Sequence, residues 1–172
     1  SVHAVPMAAH SVEAVVRRAG IDPQLVDHVS VGSVYAQHVD KPHQSFSREV
    51  TEEAGLPRTT TAADVSVVCG SSQYATGSLA SMIESGIFDF GVAAGVEVVG
   101  VASHRDIFDI GLTCDRTGRR MIELVNELCA VRDAEAFGDL ALTKERIDRF
   151  AAESYARVLD AVEANRWGEI EP

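Results

Sequence analysis

Apolar residues along the chain recur at two spacings, and the switch from one to the other outlines an alternation of helices and strands. Val12, Val15 and Val16 lie on one face of a helix expected over Ala9–Ala19, with Gly20 as its stop. Gly20-Ile21-Asp22-Pro23 is a turn, and Gln24–His28 suits a single helical turn. Val29, Val31 and Val34 then supply a strand over Val29–Tyr35. After a polar loop at Ala36–His43, Phe46, Val50 and Ala54 fall at i, i+4 and i+8. They mark a second helix, Pro42 to Ala54, ended by Gly55 and Pro57.

The strongest pattern lies between Thr59 and Glu97. Val65, Val67 and Val68 are β-branched and apolar, as a strand buried on both faces requires, and this strand is expected to end at Val68. The sequence changes at once to Cys69-Gly70-Ser71-Ser72, which suits a tight strand-to-helix turn. Gly70 would allow close backbone approach there, and Ser71 or Ser72 could satisfy first-turn N–H groups. Ala75, Leu79, Met82 and Ile83 follow at helical spacing. The small residues Gly70, Ser71, Ser72, Gly77, Ser78 and Ser81 imply that this helix is closely surrounded. Gly86 ends it, and Phe88–Val96 supplies the next strand.

Beyond Glu97 the regular alternation stops. Val98–Gly118 is irregular, and Met121–Cys129 reads as helical, with Ile122, Leu124, Val125 and Leu128 apolar. Thr143 can cap a last helix that has Glu145 in its first turn. Its stripe of Ile147, Phe150, Ala151, Ser154, Val158, Leu159 and Val162 reads as core. Two regions are therefore expected: an α/β core over residues 1–97 and a different segment over 98–172.

Composition narrows the function classes. At 46% hydrophobic and 24% charged, the 172 residues fit a soluble globular chain. A net charge of −11 with no offsetting basic stretch argues against nucleic-acid binding. An anionic ligand needs only a local basic patch, and Arg116, Arg119 and Arg120 form the densest one. By charge alone they suit either phosphate contacts or a solvated positive edge. No apolar run approaches membrane-spanning length and no signal peptide is apparent. Cys69, Cys114 and Cys129 lack C-x-x-C spacing, which argues against a disulfide framework or zinc site and for a reducing, cytoplasmic setting. His38 and His43, five apart in a loop without a carboxylate pattern, are expected to be solvated rather than metal ligands. The same expectation covers His3, His10 and His28. His104, just past the last strand of the core, could approach a site, but its spacing fixes nothing.

Cys69 is the one candidate for chemistry. A strand delivers it to the positive end of a helix, a placement that lowers a thiol pKa and makes a thiolate nucleophile available. Free cysteines are also among the most buried residue types and often only pack. Position alone leaves both readings open.

The residues V-C-G-S-S-Q-x-A from Val68 to Ala75, followed by a helix and then G-V-A-A-G-V-E to Glu97, resemble the thiolase family. That family's nucleophilic cysteine sits in a V-C-G-S-S or V-C-S-S-G turn, and its next strand ends in an A-G-G-V-E-like sequence. The likeness extends to R-A-G-I-D-P at Arg18–Pro23 and to the helix Thr143–Ser154 with its exit Asn165-Arg166-Trp167-Gly168-Glu169-Ile170. It departs at Lys41-Pro42-His43-Gln44-Ser45, where the family has N-P-A-R-Q. It departs again at Val65-Ser66-Val67-Val68-Cys69, where the family has V-N-R-x-C. A ketoacyl synthase of the same superfamily is the nearest competitor.

The resemblance implies the N-terminal α/β/α half of a thiolase-like fold, with a mostly parallel sheet, plus part of an inserted helical loop domain. The family's first strand would precede Ser1, and residues 98–172 would end before the returning strand. It implies a Cys69 nucleophile whose backbone N–H forms part of an oxyanion hole, and coenzyme A or acyl-CoA as substrate, with no covalent cofactor and no metal. The family's N-E-A-F asparagine, G-H-P histidine and C-x-G-G-G cysteine are not found between Ser1 and Pro172. The expected partner is accordingly the missing half, another chain that supplies it, or a second copy. Three functions follow: a thiolase-like acyltransferase portion, a non-catalytic thiolase-fold subunit, or a hydrolase pairing Cys69 with a histidine such as His104.

Overall fold

The computed structural model of the chain describes residues 3–36, 44–98 and 143–164, with positions 123, 124, 127, 166 and 168. The chain divides into two compact units, residues 1–114 and 115–172. In the first, helix α1 (Ala4–Ala19) leads through a 3-10 turn (Pro23–Leu25) to strand β1 (His28–Gly32). Helix α2 (Phe46–Glu53), strand β2 (Thr61–Val65), helix α3 (Ser71–Glu84) and strand β3 (Gly91–Gly95) follow. The second unit contributes helix α4 (Lys144–Glu163).

The three strands form one parallel sheet in the order β2-β1-β3. Strand side chains alternate between faces, and here the two faces differ sharply. Val29 and Val31 are fully buried and, with Val92 and Ala94, meet Val12 and Val16 of α1 and Phe46 and Val50 of α2. Each such side chain stabilises the fold by about 1.5–3 kcal/mol when wholly buried. The opposite face carries His28, Ser30 and Gly32 on β1 and Gly91, Ala93 and Gly95 on β3. Helix α3 lies on that face, and the glycines at Gly32, Gly91 and Gly95 let it settle close to the backbone. A Cβ added at Gly32 would stand 2.5 Å from the Ser72 nitrogen, and one at Gly95 2.6 Å from the Ser72 Cβ.

Several expectations need correction. Helix α1 starts at Ala4, because Ala4 and Ala8 extend the buried i, i+4 series of Val12 and Val16 by more than a turn. Gly20 closes it with φ 66°, as expected of a left-handed cap. The strand after it ends at Gly32 rather than Tyr35. Helix α2 begins at Phe46, since Ser45 caps it by accepting from the Arg48 N–H at 3.3 Å. Asp64 reinforces that end, accepting from the Phe46 and Ser47 N–H groups at 3.2 and 2.6 Å.

Strand β2 stops at Val65 and is a sheet edge among the described residues, not a strand buried on both faces. Val67 and Val68 have left the ladder and are 45% and 42% exposed. Helix α3 is not closely surrounded: only Ser71, Ala75 and Leu79 are buried, and Gly77 has open space around it. Of its small residues, Ser71 and Ala75 are buried, while Gly77 and Ser81 are exposed. In α4, Thr143 caps as expected, accepting from the Arg146 N–H at 3.3 Å, but the apolar stripe is not core. Phe150, Leu159 and Val162 are exposed.

His28 is not solvated but buried, stacked on Phe88 with ring centroids 4.8 Å apart. The Thr61 hydroxyl donates to the Asp27 carbonyl, so its oxygen must accept from the His28 Nδ1–H at 2.7 Å. Nε2 then accepts from the Ser30 hydroxyl at 2.9 Å. This network fits the neutral ring, and burial lowers the pKa of His28 below its ordinary 6.5. Asp27 is also shifted down, held ionised by hydrogen bonds from the Phe90 and Asp89 N–H groups.

Two outcomes are expected. Gly32→Ala should destabilise the fold by about 1–3 kcal/mol through overpacking, whereas Gly77→Ala should stabilise it by about 0.5–1 kcal/mol. Urea midpoints of the two variants check both signs. The unfolded chain takes up a proton at His28 more readily than the folded one, so stability should be complete above pH 6.5 and fall as the pH drops below it. Urea melts at pH 7.5 and 5.5 should show that loss, and His28→Gln should flatten it.

Candidate active site

The chain leaves β2 at Val65 and turns back into α3 within five residues. Gly70 is the N-cap of α3, so Cys69 sits immediately before the helix begins. The turn is fastened by backbone bonds from the Gly70 N–H to the Val67 carbonyl at 3.2 Å and from the Ser71 N–H to the Val68 carbonyl at 3.1 Å. The Ser71 hydroxyl accepts from the Val67 N–H at 3.0 Å and donates to the Val68 carbonyl. Ser71 therefore ties the turn to itself and caps no first-turn amide. Gly70 is not the point of close approach either, since an added Cβ would meet only the Val67 carbonyl oxygen at 3.5 Å. Gly32 and Gly95 fill that role.

The strain of the turn falls on the residue before the cysteine. Val68 has φ 54°, the one positive φ at a non-glycine position among the described residues. A β-branched side chain in that region costs about 1–3 kcal/mol. In return Cys69 is exposed, with a free thiol. It lines a cavity of about 450 Å³ together with Gly32–Tyr35, Val68, Ser71, Ser72 and Gly95–Glu97. The cavity lies at the carboxyl ends of β1 and β3, where open parallel sheets place their ligands. A second cavity of about 160 Å³, between α1 and β3, is lined by apolar residues such as Val16, Val26 and Phe90 and offers no reactive group.

Glu97 has a role the sequence did not reveal. Its carboxylate accepts from three successive backbone N–H groups, Val34 at 2.8 Å, Tyr35 at 3.1 Å and Ala36 at 2.9 Å. The acid two residues past β3 thus fixes the segment that follows β1. Its only sequence signal was its place at the end of A-A-G-V-E. Of the other candidate residues, His38, His43, His104, Cys114, Cys129, Arg116, Arg119 and Arg120 lie outside the described residues. His3 and His10 are exposed on or beside α1, and His28 is at the opposite end of β1 from the cavity. Among the described residues no histidine lines the cavity, no group of three His, Cys, Asp or Glu is placed to hold a metal, and no helix is long and apolar enough to cross a membrane.

A three-layer α/β domain with an accessible cysteine at the head of a helix, facing a cavity at the strand ends, is the class that fold and site define. The chain belongs to the thiolase family: residues 1–172 match the thiolase N-terminal domain. It is 31% identical over 186 residues to a cytosolic acetyl-CoA acetyltransferase of Gibberella zeae, covering 98% of this chain and 44% of that protein. It is 29% identical over 174 residues to a 3-ketoacyl-CoA thiolase of Alcanivorax borkumensis, covering 99% of this chain and 43% of that one. The crystal structure of the Bacillus anthracis acetyl-CoA acetyltransferase superposes with a TM-score of 0.52 at 27% identity, over 60% of this chain and 25% of that one. The chain thus spans less than half the length of these curated relatives.

Replacing Val68 by glycine should relieve the strained φ at the loss of a half-exposed side chain. Val68→Gly is expected to be about 1 kcal/mol more stable than the parent, a gain that a denaturation midpoint would register. A clear loss of stability would show that the turn is not strained there.

Proposed function

We propose that this chain is the nucleophile-bearing portion of a thiolase-type acyltransferase, with Cys69 taking up the acyl group. The observation that carries this is the exposure of Cys69 at the head of α3, in the wall of the cavity.

In the degradative direction the Cys69 sulfur attacks the 3-carbonyl carbon of a 3-ketoacyl-CoA. A carbon–sulfur bond forms, the Cα–Cβ bond breaks, and acetyl-CoA departs after its carbanion takes a proton. The thiol of a second coenzyme A then attacks the acyl-cysteine, releasing a shortened acyl-CoA and returning the thiol. The synthetic direction runs these steps backwards. During attack the carbonyl oxygen becomes an oxyanion that needs donors. The Gly70 and Ser71 N–H groups are already engaged with Val67 and Val68, which favours the Cys69 N–H as the donor from this turn.

Proton transfer requires further groups, each worth about 10²–10⁴-fold in rate. Among the described residues the cavity offers no histidine to activate the thiol. We assign those groups to a partner, either the remainder of a full-length thiolase or another chain that carries it. The non-catalytic alternative draws support from Val67 and Val68, whose exposed apolar side chains flank the cysteine.

Incubation of the chain with acetyl-CoA, followed by intact-mass and peptide analysis, distinguishes the two. A slow single acetylation at Cys69, absent from Cys69→Ala, is expected. A Cys69 that reacts with iodoacetamide yet stays unacetylated would favour the non-catalytic subunit.

A further inference from the structure

Glu97 spends its carboxylate on the backbone of the facing loop. Three consecutive N–H groups, those of Val34, Tyr35 and Ala36, converge on its two oxygens at 2.8–3.3 Å. Consecutive amides aimed at one point form a concavity that suits an anion, and here the anion is internal. Charge-assisted bonds of this kind are roughly twice as strong as neutral ones. The loop they hold is no bystander: Ser33, Val34 and Tyr35 line the same cavity as Cys69. Its near end is fixed independently, because the Ser33 N–H donates to the Val65 carbonyl at 3.1 Å and the Val96 N–H to the Gly32 carbonyl at 3.1 Å. From Val34 to Ala36, each backbone N–H donates to Glu97.

We propose that Glu97 is a positioning residue that sets the width of the cavity beside Cys69, and thereby the size of the group the sulfur can receive. As a statement about acyl groups this rests on the acyl-transfer reading of Cys69; as a statement about access to the thiol it does not. Val34 and Tyr35 present the apolar wall, and the carboxylate decides where that wall stands. Removing the charge frees three amides to turn toward water, and the wall gives way.

The test compares alkylation of Cys69 by iodoacetamide and by the bulkier N-phenylmaleimide in the 172-residue chain. The ratio of the two rates is expected to shift at least fivefold toward the bulky reagent in Glu97→Ala and Glu97→Gln. Glu97→Asp, which keeps the charge, should restore much of the parent ratio. An unchanged ratio in folded Glu97→Ala, judged by circular dichroism, overturns the proposal. If neither neutral variant folds, amide exchange in the parent decides: protection at Val34, Tyr35 and Ala36 supports the clamp, and rapid exchange there overturns it. Acetylation of the parent by acetyl-CoA is measured in parallel. A shifted ratio without acetylation would sink the acyl-transfer reading and leave the wall in place, while acetylation with an unchanged ratio would do the reverse.

Discussion

The close seating of α3 on the strand ends is the constraint from which the rest of the first unit follows. The first turn of the helix lies so near β1 and β3 that a single carbon added at Gly32 or Gly95 would overlap Ser71 or Ser72. Interiors packed at crystal-like density have no slack to absorb such an atom. Because the helix start is fixed over the sheet, the residue before its cap is fixed too. Cys69 is thereby held at the cavity mouth by backbone packing, and its position owes nothing to hydrogen bonds of its own side chain. Val68 carries the conformational cost of that placement through its positive φ.

A second theme joins the acid-rich composition to the fold. Three carboxylates are used to hold backbone far away in sequence. Asp27 accepts from the Asp89 and Phe90 N–H groups, Asp64 from those of Phe46 and Ser47, and Glu97 from those of Val34 to Ala36. Asp27 and Glu97 tie the two ends of β3 to the segments flanking β1, while Asp64 ties β2 to the start of α2. Parallel strands have no hairpins to align them, so such links fix the register that the ladder alone would leave to longer connections. Some of the net charge of −11 is therefore structural rather than a solvated surface.

The order of elements was legible in the sequence because helices and strands have different apolar periods, and glycines at Gly20, Gly55 and Gly86 marked three helix ends. The thiolase likeness rested on Val68–Ala75, the stretch whose local geometry is most constrained. What stayed hidden depended on contacts between distant residues. Gly32 reads as a strand end and Gly95 as part of a motif, and neither announces which helix presses on it. Val65, Val67 and Val68 suggest a buried strand, but an edge position depends on strand order, which a parallel sheet does not encode locally. His28 looked like any other scattered histidine, because its burial follows from Phe88 and Thr61, sixty and thirty-three residues on.

The cavity beside Cys69 separates two tasks that the proposed chemistry would combine. Delivering a sulfur to solvent is a matter of backbone, and the Val65–Ser72 turn accomplishes it with strand end, strained valine and helix cap. Activating that sulfur is a matter of side chains with ionisable protons, and among the described residues the cavity wall offers, besides Tyr35, a Glu97 carboxylate already committed to three amides. A carboxylate so engaged cannot also accept a proton from a thiol without releasing the loop that shapes the cavity. On the reading proposed above, a base for Cys69 would come from outside the described part of the cavity wall. The turn that presents Cys69 is held by its own backbone bonds and by the packing of α3 on Gly32 and Gly95, so the placement of the sulfur does not depend on a base standing beside it.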